Sequence, residues 1–338
     1  MIQSCFYIMK YSNIVLIPQP DCYGRFAHQA FSILAGWSIA HKIGCFFLPR
    51  PFTYFSSNFN QYVDFSVSSR SAYVFEGKSF YRRMSGKSPD MYGNTKYNLN
   101  QLDNICDFLA ELELNHNPSA DYILLEMPFD QTAGRFLKRL TEAMKLDLIK
   151  IFKPLGLLTS HEYSTDAKSI SQTSIAIHIR RGDVTPSRHP SWHIADIYYE
   201  NAIHALYSLF GDKARIRILC EESDIAWSNV SAINSLRAKG IIVDQTNYNL
   251  QMHPRAAIDF SHMLNSDILI SGQSGFSMLA AMIKHGNIPL AVMKNESSYF
   301  PQSVNCTYRI NAESDLVSIE SAKRIFGDCK YIRQRMAQ

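Results

Sequence analysis

The sequence lacks any apolar run near the ~20 residues that a membrane-spanning helix requires. Its most apolar N-terminal pieces, Phe6–Met9 and Ile14–Ile17, are short and are separated by Lys10, Tyr11, Ser12 and Asn13. No positively charged start leads into a longer apolar stretch, so the expectation is a chain without a secretory signal. Cysteine pairs of the C-x-x-C kind are absent. The seven cysteines (Cys5, Cys22, Cys45, Cys106, Cys220, Cys306, Cys329) are odd in number and scattered, which predicts reduced thiols in a cytoplasmic protein. The triplets at Asn229, Asn295 and Asn305 then read as chance matches to the glycosylation signal. A phosphate loop of the G-x-x-x-x-G-K-[ST] type, a G-x-G-x-x-G fingerprint, a G-x-S-x-G elbow and an Asp-x-Asp pair are also missing. These absences argue against P-loop enzymes, dinucleotide enzymes of the standard type, serine hydrolases and transferases that hold a metal through Asp-x-Asp. His189 and His193 are four apart, but Pro190 lies between them, so a metal site there is not expected.

Charge of one sign is scarce as well. The 338 residues carry 34 Lys+Arg against 30 Asp+Glu, a net charge of +4. That argues against a dedicated nucleic-acid binder, with its concentrated basic face, while leaving room for one basic pocket. Hydrophobic residues make up 46% and charged residues 19%, the balance of a globular chain with a core of its own. The length suggests two domains.

Hydrophobic patterning gives the organisation. Ile14-Val15-Leu16-Ile17 reads as a buried strand, and Pro18 to Gly24 as a polar loop. Phe26, Ala30, Ile33, Leu34 and Trp37 then fall on one helical face. The helix ends near Gly44 and a strand resumes over Cys45–Leu48, a βαβ unit with parallel strands. Residues 50–105 are rich in Tyr, Phe, Ser, Asn and Gly and read as loops and short elements. Tyr122–Leu125 reads as a strand and 132–153 as a helix. A polar, weakly patterned seam runs from Pro154 to Ser174. Beyond it the expected strands are Ser174–Ile179, Ile216–Cys220, Ile241–Val243, Ile268–Ile270 and Pro289–Val292. Helices are expected over 195–209, 224–238, 255–265 and 275–285. Two α/β halves wound on parallel sheets would bind ligands at the carboxyl ends of their strands.

Three loops at such ends carry chemistry. His178-Ile179-Arg180-Arg181-Gly182-Asp183 closes a buried strand. Two adjacent arginines there are costly unless an anion meets them. Neighbouring residues point to opposite faces. One arginine can therefore face a ligand, where a guanidinium fork suits phosphate, while the other ties the loop to a carboxylate such as Asp183. A purely structural Arg–Asp pair explains the pattern equally well. Asp21-Cys22-Tyr23-Gly24-Arg25-Phe26-Ala27-His28-Gln29 joins the first strand to the first helix. Its Gly24 permits a tight turn, and Arg25, His28 and Gln29 lie on the helix's first turn, where amides and dipole favour anions. A plainly capped helix is the alternative. Ser271-Gly272-Gln273-Ser274-Gly275-Phe276-Ser277 opens an apolar helix with Ser274 as a candidate N-cap. It would expose amides to a phosphate or serve as an ordinary βα turn. Asp259 lies in an otherwise apolar helix, suited to hold a base or a ribose hydroxyl. Arg181-Gly182-Asp183 spells an adhesion tripeptide, but at the end of a buried strand it is a coincidence.

In series these residues resemble a known superfamily. His178-Ile179-Arg180-Arg181-Gly182-Asp183 resembles the H-x-R-R-x-D signature of fucosyltransferases that use GDP-fucose, and with Gly182 before Asp183 it is most similar to the α1,2 group, glycosyltransferase family 11. Gly24-Arg25-Phe26-Ala27-His28-Gln29 resembles the N-terminal G-R-[LF]-G-N-Q motif. Leu219-Cys220-Glu221-Glu222-Ser223-Asp224-Ile225 stands at the acidic post-strand segment. Asp259, Asn265-Ser266-Asp267 and Ser274-Gly275-Phe276-Ser277 resemble the C-terminal signature. The likeness spans about residues 14–292. Ala27, His28, Met278 and Leu279 depart from the motifs.

The resemblance implies an α/β chain of GT-B architecture, two Rossmann-like domains with parallel sheets facing across a cleft. With the seam above, residues 1–160 form the acceptor-side domain and 161–338 the GDP-sugar-binding domain. It implies an inverting transfer of fucose from GDP-fucose to a glycan hydroxyl in α1,2 linkage, with no metal and no other cofactor. Arg180 would hold the β-phosphate, Arg181 and Asp183 would support the loop, Asp259 would contact the guanosine, and Ser274, Gly275 and Phe276 would give amides or a hydroxyl to the diphosphate. His178, Arg25 and Glu222 join the donor-binding set. Asp21 and His28 are the candidates for the base. Phe52, Tyr54, Phe55, Tyr62, Tyr73 and Tyr81 are candidates for an acceptor surface, or for plain core. A transferase using another nucleotide sugar, or a nucleotide-sugar binder without catalysis, fits the same residues. The expected setting is the cytoplasmic side, with loose peripheral membrane association through an acceptor lipid allowed and no nucleic-acid partner.

Overall fold

The computed structural model describes residues 11–18, 26–27, 29–30, 33, 40, 44–48, 80–84, 122–127, 172–181, 183–220, 244–245, 252–283, 288–294 and 308–337. The chain divides into two compact units, Met1–Phe152 and Lys153–Gln338. Each is built on a parallel sheet, the α/β class read from the sequence.

The first unit holds β1 (Tyr11–Pro18), β2 (Cys45–Phe47), β3 (Phe80–Met84) and β4 (Tyr122–Met127), in the order β2-β1-β4-β3. Val15, Leu16 and Ile17 are buried, as an interior parallel strand requires. Residues 26, 27, 29, 30, 33 and 40 are helical, and Phe26, Ala30 and Ile33 are buried on the face that their spacing predicts. Leu34 and Trp37 lie outside the described residues. Gly44 ends that helix with a φ of 71°, its N–H donating to the Ala40 carbonyl at 3.0 Å. A left-handed φ at this position favours glycine. β3 falls in the aromatic stretch read as loops and short elements and pairs with β4. The helix expected over 132–153 lies outside the described residues.

The second unit holds β5 (Thr173–Ile179), α1 (Asp196–Phe210), β6 (Ala214–Cys220), β7 (Asp244–Gln245), α2 (Met252–Asn265), β8 (Ile268–Ser271), α3 (Gly275–Ile283), β9 (Ile288–Met293), β10 (Tyr308–Asn311), α4 (Ala312–Asp315), α5 (Ile319–Asp328) and α6 (Lys330–Met336). The described strand after β6 is β7, just past the expected Ile241–Val243, which is outside the described residues along with 224–238. All six strands run parallel in the order β10-β9-β8-β5-β6-β7. Counted from the first strand of the unit, this is 6-5-4-1-2-3, the Rossmann order. The order reverses between β5 and β8, which pair from Ile175↔Ile268 to His178↔Ser271. In such sheets the crevice beyond the carboxyl ends of these two strands is the ligand position.

Alternation along β5 sorts its side chains. Ile175, Ile177 and Ile179 join one core cluster with Tyr199, Ile203, Leu206 and Phe210 of α1 and Phe326 of α5. His178 points to the other face, where its ring meets Phe276 of α3 at 5.8 Å, and Phe276 meets Phe260 of α2 at 5.3 Å. Buried Asn201 of α1 donates to the Leu316 carbonyl at 2.8 Å, fixing the approach to α5. At the amino end of the sheet, Asp267 accepts from the Ser174 amide (2.8 Å) and hydroxyl (2.9 Å) and pairs with Arg335 of α6 (2.7 Å). The last helix is thereby fastened at the end away from the switch point.

Candidate functional site

The two adjacent arginines divide their work as strand alternation suggests. Arg181 turns inward and is buried. Its guanidinium donates to the carbonyls of Arg180 and Ile194, both at 2.8 Å, pairs with Asp196 at the start of α1, and lies 5.9 Å over the Tyr199 ring. The partner is Asp196, not the sequence-adjacent Asp183, because residues 183–195 bring the first turn of α1 back to the strand end.

Asp183 pairs instead with Arg180. The Arg180 Nε donates to Oδ1 at 3.3 Å and Nη2 to Oδ2 at 2.8 Å. The Arg180 side chain is 19% exposed. A guanidinium has five N–H donors. Asp183 takes two, so both hydrogens of Nη1 and one of Nη2 have no side-chain or carbonyl partner among the described residues. The ion pair expected as a purely structural alternative exists, and it leaves a fork of donors open.

His178 is buried beside this fork. Burial first, and the positive Arg180 second, push its pKa down to about 3, so it is neutral at physiological pH. Its Nδ1 is buried without a hydrogen-bond partner among the described residues. A buried ring nitrogen left open costs free energy unless something meets it.

The β8–α3 turn faces the end of β5. The Gly272 amide donates to the His178 carbonyl at 3.2 Å. A Cβ at Gly272 would lie 2.7 Å from the Tyr199 hydroxyl and 3.1 Å from that carbonyl, so only glycine fits between them. Ser274 caps α3: its Oγ accepts from the Phe276 amide at 3.3 Å and its carbonyl from the Met278 amide at 3.0 Å. Buried Ser271 donates to Ser277 Oγ at 2.9 Å, and Ser277 lies 3.4 Å from the Gly272 carbonyl, so the turn is hydrogen-bonded from within. This end of α3 carries the positive end of the helix dipole. Asp259 is buried in α2, next to Phe260.

His178, Arg180, Arg181, Asp183, Ser274, Gly275 and Phe276 therefore converge on the carboxyl ends of β5 and β8, and Asp259 lies on the helix that packs against α3. Asp21, Arg25, His28 and Glu222 lie outside the described residues, as do Phe52, Tyr54, Phe55, Tyr62 and Tyr73; Tyr81 lies on β3. The sequence reading missed Tyr199, which backs Arg181 and fills the space beside Gly272, and Trp192, whose ring lies under Arg180 at 5.5 Å. The i, i+3, i+4 stripe of α1 holds Tyr199 and was a signal for a buried residue; nothing in the sequence pairs it with Gly272.

No family model matches the sequence, and no curated protein does. Among solved structures, the crystal structure of POFUT1 in complex with GDP-fucose aligns with a TM-score of 0.47 at 11% identity, covering 88% of this chain and 97% of that one. E. coli ADP-heptose LPS heptosyltransferase II aligns with a TM-score of 0.44 at 8% identity, covering 96% and 99%. E. coli heptosyltransferase WaaC with ADP aligns with 0.43 at 11%, covering 93% and 99%. Scores below 0.5 leave the fold class resting on the two parallel sheets themselves.

Proposed function

We propose that this chain is a GT-B glycosyltransferase that moves fucose from GDP-fucose to a glycan hydroxyl with inversion, in α1,2 linkage, acting in the cytoplasm and without a metal. The observation that carries the reading is Arg180 at the β5–β8 switch point, held by Asp183 yet keeping three donors open. The sequence motifs supply the choice of GDP-fucose.

In this reading the acceptor oxygen attacks C1 of the sugar as the C1–O bond to the β-phosphate breaks. The bonding pair leaves on the diphosphate, and the acceptor proton passes to a base, with Asp21 and His28 the candidates. Arg180 and the α3 amides bear the charge that grows on the leaving group. Donors fixed before the reaction stabilise that charge more in the transition state than in the ground state. Neutral His178 adds no competing cation. Asp259 serves the nucleoside.

Thermal stabilisation against GDP, UDP, CMP, ADP and dTDP tests the donor. A ligand at a hundredfold excess over Kd raises stability by about 2.7 kcal/mol. A shift with GDP alone, reduced in Arg180→Ala, together with a 10²–10³-fold loss of transfer or GDP-fucose hydrolysis, is the expected result. A shift with a different nucleotide replaces the donor. Binding without turnover of GDP-fucose turns the enzyme into a binder. Turnover undiminished in Arg180→Ala removes that residue from its role.

A further inference from the structure

We infer that Trp192 is a positioning residue for Arg180, so that an aromatic turn outside the sequence motif sets the strength of the diphosphate site. The inference rests on Arg180 being the donor to that site.

The residues between Asp183 and α1 fold into consecutive turns. His189 N–H donates to the Thr185 carbonyl at 2.9 Å, and the amides of Trp192 and His193 both donate to the His189 carbonyl at 3.0 Å. Pro186 and Pro190 restrict the backbone of this segment. The Pro190 carbonyl accepts from Lys294 Nζ at 3.1 Å, which fastens the turn to the end of β9. None of these bonds involves Arg180, so the turn is in place independently of it. The Trp192 ring is then fixed from one side by the His189 ring, stacked at 4.8 Å with an interplanar angle of 13°.

Arg180 has four rotatable side-chain bonds and is only part-buried. Asp183 holds it in the guanidinium plane through Nε and Nη2. A carboxylate alone leaves the plane free to tilt about that edge. The Trp192 ring, 5.5 Å from Cζ, supplies the contact on the face. A cation within about 6 Å of a tryptophan ring is held by the ring's quadrupole. Edge and face contacts together direct the open Nη1 fork at one place. The same contacts leave that fork unused, which distinguishes an aimed arginine from one spent on structure.

The test measures GDP affinity by calorimetry for the wild type, Trp192→Ala, Trp192→Phe, Arg180→Ala and the double variant Trp192→Ala/Arg180→Ala, with melting temperature alongside. Trp192→Ala is expected to weaken GDP binding about 3–30-fold, the range of one cation–π contact, and Trp192→Phe to restore most of it. With Arg180→Ala present, Trp192→Ala should cost nothing more, because its effect runs through the guanidinium. A merely structural tryptophan would instead weaken binding equally in both backgrounds and lower the melting temperature in proportion. Unchanged affinity in Trp192→Ala, or equal losses in both backgrounds, overturns the inference. If Trp192→Ala does not fold, the Trp192→Phe and Trp192→Leu pair decides: phenylalanine must bind more tightly than leucine, and equal affinities overturn it. A wild type that binds none of the nucleotides overturns the underlying function instead.

Discussion

Replacing Gly272 by alanine is the sharpest test of how the site is assembled. The added methyl would lie 2.7 Å from the Tyr199 hydroxyl and 3.1 Å from the His178 carbonyl. Both distances are shorter than ordinary contact. Tyr199 is 1% exposed and packs with Ile203 and Leu206, and its ring also lies against Arg181, so it has no open direction to move. The carbonyl belongs to β5, in the middle of the sheet. The strain therefore falls on the Gly272–Ser274 turn, and the 3.2 Å bond from Gly272 to His178 stretches first. Overpacking of this kind costs about 1–3 kcal/mol. At about 2–4 °C per kcal/mol for a unit of this size, the melting temperature should fall by roughly 2–12 °C. Calorimetry of the pure variant measures it. Because the turn carries Ser274 and the start of α3, nucleotide affinity should fall with it, by more than in a variant of equal stability loss elsewhere in the unit.

A second substitution makes the test specific. Tyr199→Phe removes the hydroxyl behind the 2.7 Å clash and leaves the 3.1 Å approach to the carbonyl. In the Gly272→Ala background it should recover part of the lost stability, with a coupling of at least about 0.5 kcal/mol for residues in contact. A Gly272→Ala protein that melts with the wild type, or a pair whose effects simply add, would refute the packing described here.

Three further outcomes follow from the same geometry. Arg181→Lys keeps the charge but cannot reach Asp196 and two carbonyls at once, so it should lower stability by about 1–3 kcal/mol, read by chemical denaturation. His178 should show no imidazole titration by NMR between pH 5 and 8, since its folded value is about 3; the fold favours its neutral form, so its contribution is complete above the unfolded value of 6.5 and is lost by up to about 1.4 kcal/mol per pH unit as the pH falls towards 3. For Asp267, burial alone would raise the carboxyl, but the Ser174 bonds and Arg335 outweigh it and hold it below its ordinary value of 3.8; its stabilisation is present above the unfolded value and disappears as the pH falls through the folded one, so Asp267→Asn should cost about 1–2 kcal/mol at pH 7 and much less at pH 3.

What could be read from the sequence were the features that local pattern determines. The apolar run Ile175-Ala176-Ile177 within β5 reports burial on both faces, as expected of an interior parallel strand. Ser274 before an apolar run reports a helix start, and Gly44 a helix stop. Ser318, Ala322 and Phe326 carry the signal of a capped amphipathic helix near the end of the chain, and Ser318 caps α5, accepting from the Ser321 amide at 3.1 Å. β10 gives a weaker signal because only Ile310 of its four residues is buried. The pairings across the fold were out of reach. Arg181 with Asp196, Gly272 with Tyr199, and Arg180 with Trp192 depend on how strands and turns are brought together, not on spacing along the chain.

Those pairings also explain why one short motif can carry two adjacent arginines. Arg181 is surrounded by oxygen, two carbonyls and a carboxylate, so its charge is spent within the fold. Arg180 faces one carboxylate and one aromatic ring, so its charge is steadied but not consumed. His178 could have added a further cation, yet burial and Arg180 itself keep it neutral. Of the three basic residues of the motif, Arg180 thus keeps its charge on an open guanidinium fork.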